Sequence, residues 1–204
     1  MPARGGALLR SAAIAVLALL LAACATTRAP RTLLPVAELE QLLRGLGEFS
    51  VNGRVAVRAG DKGPIAFLDW QQRGEHARIR LSGHFGAGAL TVDWSPTTLR
   101  LTSGDQIHEG AEAEAVLLHE IGLVPPFDAM RYWMLGLEAP GEAPALRTSS
   151  SSGRIGELTQ RQWHIRYDEW MGVAAKGGGV QLPRLLNITR DDLRLRVIVR
   201  RWSL

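Results

Sequence analysis

The sequence predicts a mainly β domain with some α: an unclosed antiparallel β-barrel of about ten or eleven strands, with helices covering an apolar cavity. Three observations carry this. Apolar residues recur with a period of two over most of the chain beyond Ser50. Short clusters of turn residues separate these runs at hairpin spacing. Helical periodicity appears only before the first strand and in the middle of the chain. An antiparallel sheet with one apolar face must cover it with a second sheet, with helices or by closing on itself. So many strands in so short a chain are hard to fill as a dry sandwich, so a curved sheet with the central helices over its mouth is the economical solution, and it can leave a cavity.

Met1 to Ala23 reads as an export signal. Arg4 and Arg10 form its positive end, and the 13 residues from Ser11 to Ala23 are uncharged and apolar, too few to cross ~30 Å of hydrocarbon as a helix. The segment closes on Leu21-Ala22-Ala23-Cys24, and Cys24 is the single cysteine of the chain. One cysteine makes no internal disulfide. Placed directly after small residues, Cys24 looks like the cysteine of a bacterial lipobox, which is acylated on its sulfur before cleavage and on its new amine afterwards. The alternative, an ordinary signal peptide followed by a stray thiol, leaves the position of Cys24 unexplained. Residues 24–35 are then the lipidated cysteine and a polar, proline-punctuated tether reaching at most roughly 35–40 Å, and residues 36–204 form one domain. More than one acyl chain gives stable anchoring, where one chain binds reversibly. Ala25 stands where lipoproteins retained in the inner membrane commonly carry Asp, which by that resemblance directs the chain to the outer membrane, facing the periplasm.

The domain begins with an amphipathic helix, in which Val36, Leu39, Leu42, Leu43 and Leu46 share a face and Gly45 and Gly47 provide the stop. Val51, Val55 and Val57 then alternate along a strand; Gly60-Asp61-Lys62-Gly63 is a turn and Pro64 to Gln72 the returning strand. Ala77 to Leu81, Ala87 to Trp94, Thr98 to Thr102 and Gln106 to Glu109 continue the meander. In the middle, Ala113, Val116, Leu117 and Ile121 mark one helix, stopped by Gly122. Asp128 caps a second that carries Met130, Trp133, Met134 and Leu137. Ala143 to Gly153 reads as a loop with the serine run Ser149 to Ser152. Strands resume at Arg154 to Gln160 and Gln162 to Trp170, and after the glycine-rich Lys176 to Gly179 the last pair is Arg184 to Thr189 and Leu193 to Trp202.

Composition excludes several classes. With 46% hydrophobic and 22% charged residues over 204 positions, the chain is no disordered tail, collagen or multi-span membrane protein. The isoelectric point of about 10.0 does not argue for nucleic acid, because Arg4 and Arg10 leave with the signal segment and the remaining side-chain charge is about +2. The five histidines lie at no metal-ligand spacing: His119-Glu120 begins a zincin-like pattern, but Leu123 stands where the second histidine belongs. No P-loop, G-x-S-x-G or dinucleotide motif occurs, so the sequence assigns no catalytic residue, metal or cofactor. What it offers is apolar material: six tryptophans, and Phe85 in the glycine-rich Ser82-Gly83-His84-Phe85-Gly86-Ala87-Gly88. Phe85 either folds back on its own hairpin or presents an apolar tip to a membrane or partner.

An ordered series of motifs makes the chain resemble the LolB family of outer-membrane lipoprotein receptors. It comprises Gly53-Arg54-Val55-Ala56-Val57, Phe67 to Trp70-Gln71-Gln72, the Phe85-Gly86 pair, Gly122-Leu123-Val124-Pro125, Trp133-x-x-Gly136, Gln160-x-x-Trp163-x-Ile165-x-Tyr167-x-x-Trp170, Leu182-Pro183 and Val197-Ile198-Val199-x-x-Trp202. His84 departs from the proline often found there, and Ser149 to Ser152 matches no family pattern. The resemblance implies a receptor that takes lipoproteins from the periplasmic carrier LolA, binds their acyl chains in the cavity and inserts them into the outer membrane. It further implies Cys24 as anchor, Phe85 as a membrane-insertion tip, triacylated lipoproteins as cargo and outer-membrane lipid as recipient; the molecule is expected to be a monomer without nucleic acid. Candidate lining residues are Val55, Val57, Phe67, Leu90, Val92, Met130, Trp133, Val197 and Val199, each of which also suits an ordinary core. A tethered structural or partner-binding lipoprotein with a filled core is the alternative; an envelope hydrolase would need a polar cluster that the sequence lacks.

Overall fold

The computed structural model describes residues 34–59, 65–83, 89–175 and 178–204. Helix α1 (Val36–Arg44) buries Leu39 and Leu43 and is capped by Gly45. Six strands follow: β1 (Glu48–Ala59), β2 (Ile65–Arg73), β3 (His76–Gly83), β4 (Leu90–Ser95), β5 (Thr98–Ser103) and β6 (Gln106–Glu109). Helices α2 (Gly110–Ile121) and α3 (Phe127–Met134) intervene before β7 (Leu146–Ser149), β8 (Ile155–Gln160), β9 (Trp163–Ala175), β10 (Gly178–Arg190) and β11 (Leu193–Ser203). All eleven strands form one antiparallel sheet, ordered β6-β5-β4-β3-β2-β1-β11-β10-β9-β8-β7. It is two sequential meanders joined where β1 pairs with β11. The terminal strands β6 and β7 do not pair, so the barrel is open.

Strict alternation turns one face inward. In β2 the buried positions are Ala66, Leu68, Trp70 and Gln72, and in β11 they include Leu195, Val197 and Val199. The seam between the meanders is bent by a bulge: Asn52 faces Arg201 while Gly53 faces Val199, leaving Arg200 as the extra residue. A Cβ on Gly53 would lie 2.2 Å from the Ile198 carbonyl oxygen, so the close approach of the two backbones requires glycine. A second irregularity lets Pro183 sit inside β10, where the register with β9 shifts between Pro183 and Leu185.

The structure departs from the sequence expectations at identifiable places. Part of the expected Ala143–Gly153 loop is the edge strand β7, all four residues of which are exposed; with no inward apolar side chain it carries no alternation to read. Strands β9 and β10 continue past Trp170 and begin before Arg184, because the bulge accommodates Pro183 and because Gly178 and Gly179 pair with Ala175 and Ala174. Asp128 is not the cap of α3. Pro126 holds that position, and Asp128, in the first turn, pairs instead with Arg161. The stops at Gly122 and Gly136 have the left-handed φ of +77° that favours glycine.

Candidate functional site, an apolar cavity beneath the helices

Between the inward sheet face and the helices lies an open space of about 60 Å³. The sheet contributes Val55 and Val57 from β1, Leu68 and Trp70 from β2, Ile79 and Leu81 from β3, Val92 from β4, and Leu195 and Val197 from β11. The cover contributes Leu117 from α2, Leu123 and Pro125 from the connection, and Phe127, Met130 and Met134 from α3. No polar atom is exposed on this wall. Trp70 would break that rule, but its indole N–H donates to Gln72 Oε1 at 2.9 Å and Gln72 Nε2 donates to the Gly74 carbonyl at 2.9 Å. The indole therefore turns only carbon towards the cavity. A larger depression of about 500 Å³ lies over β2–β5, with Arg73, Arg78, Asp93 and Arg100 in its walls. Such walls suit water and ions, not hydrocarbon.

The cover is fastened along one flank. Gln160, buried on β8, uses its whole amide: Oε1 accepts from Trp133 Nε1 at 3.0 Å and from the Ala139 N–H at 2.9 Å, while Nε2 donates to the carbonyls of Ala139 and Glu142. Tyr167 on β9 donates from its hydroxyl to the Trp133 carbonyl at 2.9 Å, and burial pushes its phenol far above the ordinary tyrosine range. Trp133 packs on Trp163 with ring centroids 6.4 Å apart. An exposed Arg161–Asp128 pair adds a further link. Among the described residues no hydrogen bond or ion pair ties α2 or α3 to β1–β4; the facing side chains there are apolar, and Trp94 lies against Phe127 with ring centroids 6.1 Å apart.

Of the residues singled out from sequence, Val55, Val57, Val92, Met130 and Val197 are brought together on the cavity wall. Phe67 is not. Its β2 position has the opposite parity to Leu68 and Trp70, so it is 48% exposed on the outer face, with the Arg54 guanidinium 5.0 Å above its ring. Leu90, Trp133 and Val199 are buried but lie off the wall, Trp133 in the Gln160–Tyr167 fastening and Val199 beside the Gly53 bulge. Cys24 and Phe85 lie outside the described residues. On the sheet, sequence reasoning missed Leu68, Trp70, Ile79, Leu81 and Leu195, although their alternation with polar and charged neighbours carried the signal, and on the cover it missed Leu117, Leu123, Pro125, Phe127 and Met134. Gln72 and Gln160 stand in the motif series, but their part in satisfying the Trp70 and Trp133 indoles was not read from it. Among the described residues no three His, Cys, Asp or Glu side chains converge as a metal site would need.

Residues 47–202 match the family model described as outer membrane lipoprotein LolB. The chain belongs to the LolB family. It is 33% identical over 190 residues to the outer-membrane lipoprotein LolB of Alkalilimnicola ehrlichii, covering 92% of this chain and 93% of that one. It is 34% identical over 159 residues to the LolB of Halorhodospira halophila, with 78% and 76% covered. To the LolB of Coxiella burnetii it is 28% identical over 198 residues, with 94% and 91% covered. Its place is accordingly the outer membrane, as a lipoprotein. Among solved structures, the LolA superfamily protein NE2245 from Nitrosomonas europaea superposes with a TM-score of 0.50 at 9% identity, over 84% of this chain and 94% of that one, a likeness of fold.

Proposed function

We propose that this chain is a receptor, held at the outer membrane through an acylated Cys24. In this reading it takes lipoproteins from a LolA-type periplasmic carrier by admitting their acyl chains to the apolar cavity, then delivers them into the outer membrane. The observation that carries the reading is the wall itself, fifteen side chains from five strands, two helices and their connection with no polar atom exposed. A triacylated protein with ~45 methylenes in its tails would face a cost on the order of 35 kcal/mol with them in water, so hand-over must be shielded. The sequence carries no nucleotide-binding motif, and the direction of transfer then rests on differential affinity followed by release into bilayer.

The present space of about 60 Å³ equals about two water molecules and falls well short of the ~300–1,000 Å³ usual for ligand sites. Acyl entry therefore requires α2 and the start of α3 to lift from β1–β4. Among the described residues lifting breaks no hydrogen bond on that flank, and incoming methylenes replace the apolar contacts that are lost. Titration of the mature Cys24→Ala chain with a fluorescent fatty acid is expected to give saturable binding. A tethered structural protein with a filled core gives none, and that result overturns the proposal. Phe85 is assigned to delivery: Phe85→Glu is expected to leave folding and fatty-acid binding unchanged while insertion into vesicles fails, and normal insertion by this variant removes the role.

A further inference from the structure

We infer that the outer face of β1, β2 and β11 is a docking surface for anionic lipid headgroups, which lays the domain against the membrane independently of the acyl anchor. The parity that turns Val55, Val57 and Val197 inward turns Arg54, Arg58, Arg194 and Arg196 outward, and all four are exposed. Register brings them together: Arg58 lies directly opposite Arg194, Arg196 opposite Ala56, and Arg54 between Ile198 and Phe67. Like charges facing each other across a strand pair are destabilising, and Arg58 and Arg194 are such a pair. Among the described residues none of the four makes an ion pair, whereas Arg78, Arg100, Arg166 and Arg184 each have a carboxylate within 4.0 Å. Asp69, on the same outer face, is held by Asn52 and Gln71.

Large apolar side chains sit among these cations. Ile65 and Phe67 are each 48% exposed and Ile198 is 39% exposed, and Arg54 stacks over Phe67 at 5.0 Å. Guanidinium groups suit phosphate oxygens through paired donors. Apolar side chains beside them suit the shallow acyl boundary just below the phosphates. An acidic protein surface would satisfy the arginines and leave the three apolar groups facing a polar partner. The chain is an outer-membrane lipoprotein, so a phosphate-bearing surface is always within reach. This inference does not depend on acyl acceptance by the cavity.

The test is cosedimentation of the mature chain carrying Cys24→Ala, so that no acyl group contributes, with phosphatidylcholine vesicles and with vesicles containing phosphatidylglycerol. Binding is expected only to the anionic vesicles and should be reversed by high salt. Each single Arg→Gln change at 54, 58, 194 or 196 should weaken partitioning about fivefold. The quadruple variant should lose it while fatty-acid binding and the circular dichroism spectrum stay unchanged, and Arg166→Gln, at a paired arginine, should have little effect. Equal binding by parent and quadruple variant overturns the inference. So does absence of vesicle binding, or capture by poly-glutamate with none by vesicles, which would assign the patch to an acidic protein.

Discussion

On the β8–β9 flank α3 is held by Gln160 and Tyr167 through buried hydrogen bonds, whereas over β1–β4 the same helix and its neighbour rest, among the described residues, on valine, leucine, isoleucine and tryptophan carbon. The two flanks are similarly buried and differ in what separation costs. Pulling the helix from β8 exposes donors and acceptors that cannot be satisfied in an apolar surrounding, a penalty of about 1–3 kcal/mol for each group. Pulling it from β1–β4 into contact with an acyl chain exchanges carbon for carbon. Buried polar bonds fix one edge of the cover, and among the described residues none holds the other, the edge the proposal requires to be exchangeable.

The largest expected effect breaks the fixed flank. Gln160→Leu strands the Trp133 indole N–H, both main-chain groups of Ala139 and the Glu142 carbonyl. A loss of about 4 kcal/mol in urea unfolding is expected. The same truncation at two fully buried leucines then sharpens the contrast. Leu158→Ala, on β8, should cost near the middle of the ~2–5 kcal/mol range and Leu117→Ala, which borders open space, near the bottom, because a side chain facing a gap loses fewer contacts. Equal costs would mean that the cavity behaves as filled core.

Val57→Phe acts on the exchangeable flank by occupying the space. Stability within about 1.5 kcal/mol of the parent is expected, with fatty-acid affinity reduced more than tenfold in the same titration. The smallest effect belongs to Tyr167→Phe, which removes one hydrogen bond to Trp133 and should cost about 1 kcal/mol at neutral pH. Its pH dependence identifies the source. The buried phenol ionises far above the ordinary value of 10.0, so the parent keeps this contribution below pH 10.0 and loses it as pH rises further, when the unfolded chain ionises and the folded one does not. Thermal melts from pH 8 to 11 (about the range set by the ordinary phenol value) should fall less steeply above pH 10.0 for the variant.

Much of the fold was legible because alternation is a local signal. The Leu193–Val199 pattern and the Val51–Val57 pattern each announce which face turns inward, and once β1 and β11 pair, the wall follows. The parity of β2 was equally readable from Trp70 and Gln72, and that parity turns Phe67 outward, against its place among the candidate lining residues. Strand β7 and the extension of β10 were hidden, one because an exposed edge strand has no apolar stripe and the other because Pro183 is admitted only by a bulge. Gln160 stands in the Gln160-x-x-Trp163 motif, but its hydrogen bonds run to Trp133, Ala139 and Glu142, distant in sequence, and no local pattern encodes that convergence.

The central claim is that acyl chains enter beneath α2 and α3 from the carrier. The direct measurement loads a LolA-type carrier with a radiolabelled lipoprotein, adds the mature chain lacking the Cys24 thiol, and follows the label. Movement of label onto this chain, and its failure to move onto Val57→Phe, is the predicted result. Label retained on a competent carrier in the presence of the folded chain, or equal acceptance by Val57→Phe, would contradict the account.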